Sequence, residues 1–144
     1  MSAPLATASA HCRLSNEGGR ALLAVRGQHL VTDAPPTLGG PNEASNPVEL
    51  LLCSLAGCAV LVCERAAQEL GIPLTSATAT VAGDFDPRGV CGEAVDPRFQ
   101  AFRVRLSLQG PDEAQCQLLL QAFRTRCPIF ATLSRAAAVE LSLA

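Results

Sequence analysis

The sequence predicts an α+β fold built as a single domain over residues 1–144. Three observations lead there. The 144 residues suit one domain and are too few for two ordinary ones. Apolar residues make up 49% and charged residues 17%, so the chain can bury a core and is not disordered. Strand-like and helical stretches follow one another as βββ-α-ββ-α-β, which is the α+β pattern.

Residues 4–33 alternate weakly and are broken by Asn16-Glu17-Gly18-Gly19, predicting two or three antiparallel strands with a hairpin. The run from Asp33 to Asn42, rich in proline and glycine, sustains neither helix nor strand and reads as a loop. Asn46-Pro47-Val48-Glu49 then opens a helix, with an Asn cap, proline at the first position and a carboxylate at the third. That helix runs to about Leu70 and is apolar on every face through Cys63. A helix apolar all round is buried all round, and a domain this small cannot wrap one. A partner subunit is therefore expected to cover part of it.

Beyond Gly71 and Pro73, Ser76 to Val81 has period two and reads as a strand. Phe102, Val104, Leu106 and Leu108 alternate with polar residues in a second strand, and the Gly- and Pro-containing stretch 83–98 between them is expected to be mobile. Gly110-Pro111-Asp112-Glu113 opens another helix, whose stripe of Cys116, Leu119, Leu120, Phe123 and Cys127 ends at Pro128. Val139, Leu141 and Leu143 alternate with Glu140 and Ser142 as a final strand.

Charge and composition narrow the function classes. The net charge is −2 and aromatics are 3%, with no Trp or Tyr. Neither a basic footprint nor base-stacking platforms are present, so no nucleic-acid partner is expected. All eleven basic residues are Arg, a bias to which no functional meaning attaches. The longest apolar run, Leu50 to Cys63, is interrupted by Ser54 and Gly57 and falls short of the roughly 20 residues of a membrane span. The first residues carry no secretory pattern. Seven cysteines, an odd number, then point to a reducing cytoplasm rather than a disulfide framework. With no CxxC pair and only His11 and His29 to add imidazole, no zinc site is expected. The functional readings reached below imply no metal and no bound organic cofactor.

The segment from Gly39 to Cys58, GGPNEASNPVELLLCSLAGC, is the most informative. With Cys127-Pro-Ile-Phe-Ala-Thr-Leu133, the D-x-P-P-x-x-G-G loop at 33–40 and Asn46-Pro47, it resembles the OsmC/Ohr family of osmotically inducible and organic hydroperoxide resistance proteins. The resemblance runs in order along nearly the whole chain. It implies an OsmC-like fold with antiparallel sheets around central helices, in an intertwined homodimer whose active site lies near the interface.

The resemblance further implies a thiol peroxidase acting on organic hydroperoxides, with Cys58 as attacking thiol and Cys127 as resolving thiol. Two cysteines are needed because the sulfenic acid formed on the first must be captured by the second before over-oxidation. The reductant would be an external dithiol, lipoyl or thioredoxin-like. The plainer alternative is that both cysteines are small core residues. Cys53 and Cys63 lie five residues either side of Cys58, roughly 140° around the helix, and are taken as structural along with Cys12, Cys91 and Cys116.

Family peroxidases also use an Arg from the N-terminal strands and a Glu that holds it. Arg26, read as lying on a regular strand before the loop, is the preferred candidate here, with Arg20 the alternative. The carboxylate departs from the pattern: Val48 follows the proline where peroxidases carry Glu, and Glu49 stands one residue later. Glu49 also suits a reciprocal cap on Asn46, and on a straight helix it points away from Cys58. It can join the site only if the helix start is offset or the helix breaks near Gly57. Val48 supports the second functional reading, a non-catalytic binding or stress-associated module that keeps the fold.

Overall fold

Asp33 is almost fully buried, and the first part of the molecule is organised around it. The structure, a computed structural model, describes residues 3–143. It divides within its first α-helix into two compact units, one ending at Leu50 and the other beginning at Leu51.

The first unit carries strands β1 (His11–Leu14), β2 (Arg20–Val25) and β3 (Gln28–Asp33), an antiparallel sheet in that order. Leu14 pairs with Ala21, Arg20 with Asp33 and Val25 with Gln28. Arg26 and Gly27 close the β2–β3 hairpin with φ of 49° and 76°, the left-handed pair that matches strand twist in a two-residue turn. Arg26 thus sits at an exposed hairpin tip and not on a strand, which corrects the sequence reading. The turn geometry required positive φ there, and glycine supplies only half of it.

The loop after β3 contains one 3-10 turn, Pro36–Leu38, and then folds back closely on itself. A Cβ on Gly40 would collide with the backbone of Ala34, which explains the glycine at that point. Asp33 Oδ2 accepts hydrogen bonds from the backbone N–H groups of Glu43 (3.0 Å) and Ala44 (3.1 Å) and from Arg20 Nη2 (3.3 Å). Arg20 is bound in turn by Glu17 and Glu43, each at 2.5 Å. Burial pushes the Asp33 carboxyl up, but the two N–H groups and the guanidinium outweigh it and hold it below its ordinary value. A carboxylate lowered in the folded state stabilises the fold at neutral pH. That contribution is lost as pH falls below the usual carboxylate range and through the lowered folded value. Asp33→Asn should therefore lower the thermal midpoint at pH 7 and flatten its fall in acid, which thermal melts from pH 7 to pH 3 would read.

Helix α1 (Pro47–Leu70) joins the units, and its continuation forms the spine of the second. Leu55, Ala59, Cys63, Ala66 and Ala67 form its one buried stripe, packed with Ile72, Leu119, Ala122, Phe123 and Cys127. By length and composition α1 could also cross a membrane, more than the run Leu50 to Cys63 suggested. Its buried stripe is, however, the core of this unit. The rest of α1 is only partly covered: Gly57 is exposed and Leu61 is 64% exposed.

Strands β4 (Ser76–Asp84) and β5 (Ala101–Gln109) pair antiparallel, Ser76 opposite Gln109 and Asp84 opposite Ala101. Ala79, Val81, Val104, Leu106 and Leu108 pack against the core, and the alternate residues face outward. The stretch between the strands, expected to be mobile, is anchored instead. Phe99 stacks against Phe85 (5.2 Å between centroids) and Phe102 (4.6 Å), and a 3-10 turn spans Pro87–Cys91. Helix α2 (Glu113–Arg126) starts in a capping box between Asp112 and Gln115.

Pro128 does not simply end the helical region. It occupies the first position of a further helix, α3 (Pro128–Arg135), where its missing N–H costs nothing. The strand expected at 139–143 does not form: Val139 and Leu141 are 90% and 97% exposed, and the segment pairs with none of the described strands. Alternation specifies a strand only where an edge receives it.

Candidate active site

Cys58 projects from the middle of α1, and Cys127 occupies the single residue between α2 and α3. Their sulfurs lie 2.8 Å apart and are hydrogen-bonded, across 69 residues of sequence. Both are free thiols. Cys127 is fully buried and Cys58 half-buried, so an incoming molecule meets Cys58 first.

Local structure explains the placement of Cys127. Its N–H still closes the last turn of α2 on the carbonyl of Phe123, 3.1 Å away. Its ψ of 114° then turns the chain, and its sulfur accepts the N–H of Phe130 at 3.3 Å as the N-cap of α3. Phe130 also packs edge-on against Phe123, centroids 5.1 Å apart, and so pins the start of α3 to the core.

The environment of Cys58 disfavours its charged form. Burial first, then the hydrogen bond and charge of Cys127, push its thiol up to about 11, against a smaller opposing pull from the N–H of Ile129. Cys63 is raised by burial and its sulfur lies 3.8 Å from the carbonyl of Leu119. Cys53 is exposed, Cys63 buried and Cys116 part-buried.

An open apolar groove of about 760 Å³ lies in the same unit, between α1, β5, α2 and α3. Leu55, one turn before Cys58, and Phe130, which binds the Cys127 sulfur, both line it, as do Arg105 and Arg124. The cysteines themselves do not.

Glu49 is part of a reciprocal cap. Its Oε2 accepts the Asn46 N–H at 2.9 Å, and Asn46 Oδ1 accepts the Glu49 N–H at 2.9 Å. Helix α1 runs unbroken through Gly57, so Glu49 and Cys58 are about 180° apart around it. The offset or break that a catalytic Glu49 requires is not there. Glu49→Gln should leave stability within about 0.5 kcal/mol, since Gln serves the same cap. Thermal melts of the wild type and the variant would read any difference. Of the two arginines, Arg20 is held by three carboxylates, whereas Arg26 has no ion pair among the described residues.

The backbone N–H groups of Ile129 and Phe130, which address the two sulfurs, were not anticipated from the sequence. The Cys-Pro dipeptide carried the signal, because proline after a cap residue marks a helix start as readily as a stop. Among the described residues no cluster of His, Cys, Asp and Glu could hold a metal ion.

No curated protein matches the chain. Among solved structures, it resembles an OsmC-like protein from Mycoplasma pneumoniae, with a TM-score of 0.76 and 18% identity over 91% of this chain and 89% of that one. An organic hydroperoxide resistance protein OsmC from Legionella pneumophila matches at 0.62 and 19%, covering 93% of each chain. An organic hydroperoxide resistance protein from Elizabethkingia anophelis matches at 0.60 and 18%, covering 92% and 91%. These likenesses show a shared fold. Residues 40–142 match the family model for OsmC-like protein, which takes in both cysteine motifs, and the chain belongs to that family.

Proposed function

We propose that this protein is a thiol peroxidase that reduces organic hydroperoxides through Cys58 and Cys127. The observation that carries the reading is the 2.8 Å approach of two free sulfurs from distant parts of the chain. Core cysteines need no such meeting, whereas a sulfenic acid on one must be reached by the other. Structural neighbours named organic hydroperoxide resistance proteins support the choice of oxidant. An external dithiol, lipoyl or thioredoxin-like, returns the disulfide to two thiols, and the setting is a reducing cytoplasm. The apolar groove lined by Leu55, one turn before Cys58, and by Phe130 favours organic over inorganic peroxide. Turnover of an alkyl hydroperoxide with a small dithiol, followed by peroxide loss, tests this reading; hydrogen peroxide should react more slowly. One observation favours a binding module instead: Val48 replaces the expected carboxylate and Glu49 is engaged in the cap. That alternative predicts no peroxide loss.

The working form is proposed to be a homodimer that covers the open side of α1. Apolar residues encircle this helix, yet the chain buries one stripe and leaves Leu61 largely in water. Covering a leucine contributes roughly 1.5–3 kcal/mol, so several such positions favour association. Sedimentation should show a dimer at micromolar concentration, and Leu61→Arg should shift it toward monomer. A wild-type monomer would remove the shared-site idea.

A further inference from the structure

We propose that the disulfide formed by Cys58 and Cys127 is opened from one side only: the reducing dithiol attacks the Cys58 sulfur, and Cys127 departs as a thiolate onto the Phe130 N–H. This deepens the peroxidase reading and rests on it for the place of the disulfide in turnover. The sulfurs already lie 2.8 Å apart as free thiols, so bonding them shifts their surroundings little. Each sulfur also has one backbone N–H from the start of α3, Ile129 for Cys58 and Phe130 for Cys127. Donors alone therefore set no direction. Access does.

In thiol–disulfide exchange the incoming sulfur lines up with the bond it breaks, approaching the attacked sulfur from the side opposite the leaving group. Cys127 is 0% exposed, enclosed where α2 ends and α3 begins. A thiol attacking it would first have to part these helices, which the edge-on contact of Phe130 with Phe123 holds together. Cys58 is half-buried on α1, and its sulfur is the one a dithiol can meet. The electron pair then leaves on Cys127, where the fold keeps a donor in place. The Cys127 sulfur is the N-cap of α3 and accepts the Phe130 N–H at 3.3 Å.

The dithiol enters as HS–R–S⁻ and bonds to Cys58; the Cys58–Cys127 bond breaks, and its electron pair stays on Cys127. The second thiol of the reductant gives its proton to the Cys127 thiolate. It then attacks the reductant sulfur bound to Cys58, closing a cyclic disulfide and expelling Cys58 as a thiolate, which takes a proton from water. Two electrons have passed from the reductant to the protein sulfurs. A monothiol has no second sulfur to complete this sequence. Its adduct on Cys58 stands beside the Cys127 thiolate, which attacks Cys58 and expels it again. The preference for a dithiol thus follows from the same arrangement.

The test traps the first adduct. The exposed Cys12, Cys53 and Cys91 are replaced by Ser to prevent scrambling, and the Cys58–Cys127 disulfide is made with diamide. The protein then meets 2-mercaptoethanol briefly, is quenched with N-ethylmaleimide in denaturant, and is mapped by peptide mass. Mercaptoethanol on Cys58 with maleimide on Cys127 is the expected result. The reverse pattern, or comparable amounts of both, would overturn the proposal, as would failure of diamide to link the pair. A second measurement addresses the donor: phenyllactic acid at position 130 keeps the ring and replaces the N–H with an ester oxygen. Reduction of the disulfide by dithiothreitol should slow about 10-fold, the scale of one hydrogen bond to a charged group. Alkylation of reduced Cys58 by iodoacetamide should keep its rate, which a general loosening of the site would change. Reduction at the unmodified rate would remove the Phe130 N–H from this role. Because diamide makes the disulfide, a protein that consumes no peroxide ends the peroxidase reading, while the adduct map still decides which sulfur is attacked.

Discussion

Cys58→Ser should abolish hydroperoxide reduction, by about 10³-fold or more, the scale on which enzymes respond to loss of a nucleophile. A hydroxyl is a far weaker nucleophile at neutral pH, and no second thiol stands where Cys58 does. Cys53 and Cys63 are each five residues away on the same helix, one exposed and one sealed in the core. The fold should be retained, because serine is close in size and the site is only half-buried. The measurement is steady-state peroxide loss with a dithiol, alongside a thermal melt to show that the variant is folded. Full activity in this variant would remove Cys58 as the nucleophile and leave the fold assignment intact.

Phe123→Ala should give the largest loss of stability, about 3–5 kcal/mol, the range for truncating a buried aromatic. Phe123 is 4% exposed, its ring packs against Phe130, and its carbonyl accepts the N–H of Cys127. Truncation empties the space beneath the first turn of α3. A fall in melting temperature on the order of 10 °C is expected for a chain of this length. Because Phe130 carries the N–H that binds the Cys127 sulfur, disulfide formation should slow as well. Denaturant unfolding and the rate of the second oxidation step would separate the two effects. An exposed leucine gives the contrast: Leu118→Ala, on the outer side of α2, should cost well under 1 kcal/mol.

Local chemistry was readable in the sequence wherever it acts over a few residues. Asn46, Pro47 and Glu49 announced the start of α1, and the bonds between Asn46 and Glu49 are those their spacing implies. The alternation at 76–81 and 102–108 located β4 and β5, each extended by a few residues once paired. What failed depended on partners distant in the chain. Residues 139–143 have a strand pattern and no edge to join. The stretch 83–98 looked loose because its anchor, Phe99 between Phe85 and Phe102, has no sequence period. Arg26 read as a strand residue because the hairpin turn shows only one glycine.

The site divides in the same way. Cys58 and Cys127 were found through their motifs, and the fold brings them together. The cap on Asn46 competed with a catalytic Glu49 from the start, and the unbroken helix favours the cap. That α3 begins at Pro128, with Cys127 as its cap, depends on the chain turning by a single residue, and a proline is compatible with both a stop and a start. The acid-bound arginine proved to be Arg20, whose carboxylates come from three separate points in the chain.

The central claim is that Cys58 and Cys127 form a redox couple driven by an organic hydroperoxide. Intact mass of the reduced protein after one equivalent of an alkyl hydroperoxide tests it most directly. A loss of two hydrogens, with peptide mapping that joins Cys58 to Cys127 and reversal by a dithiol, is the expected result. An unchanged mass with the peroxide still present, or a stable gain of oxygen with both cysteines still unlinked, would contradict it.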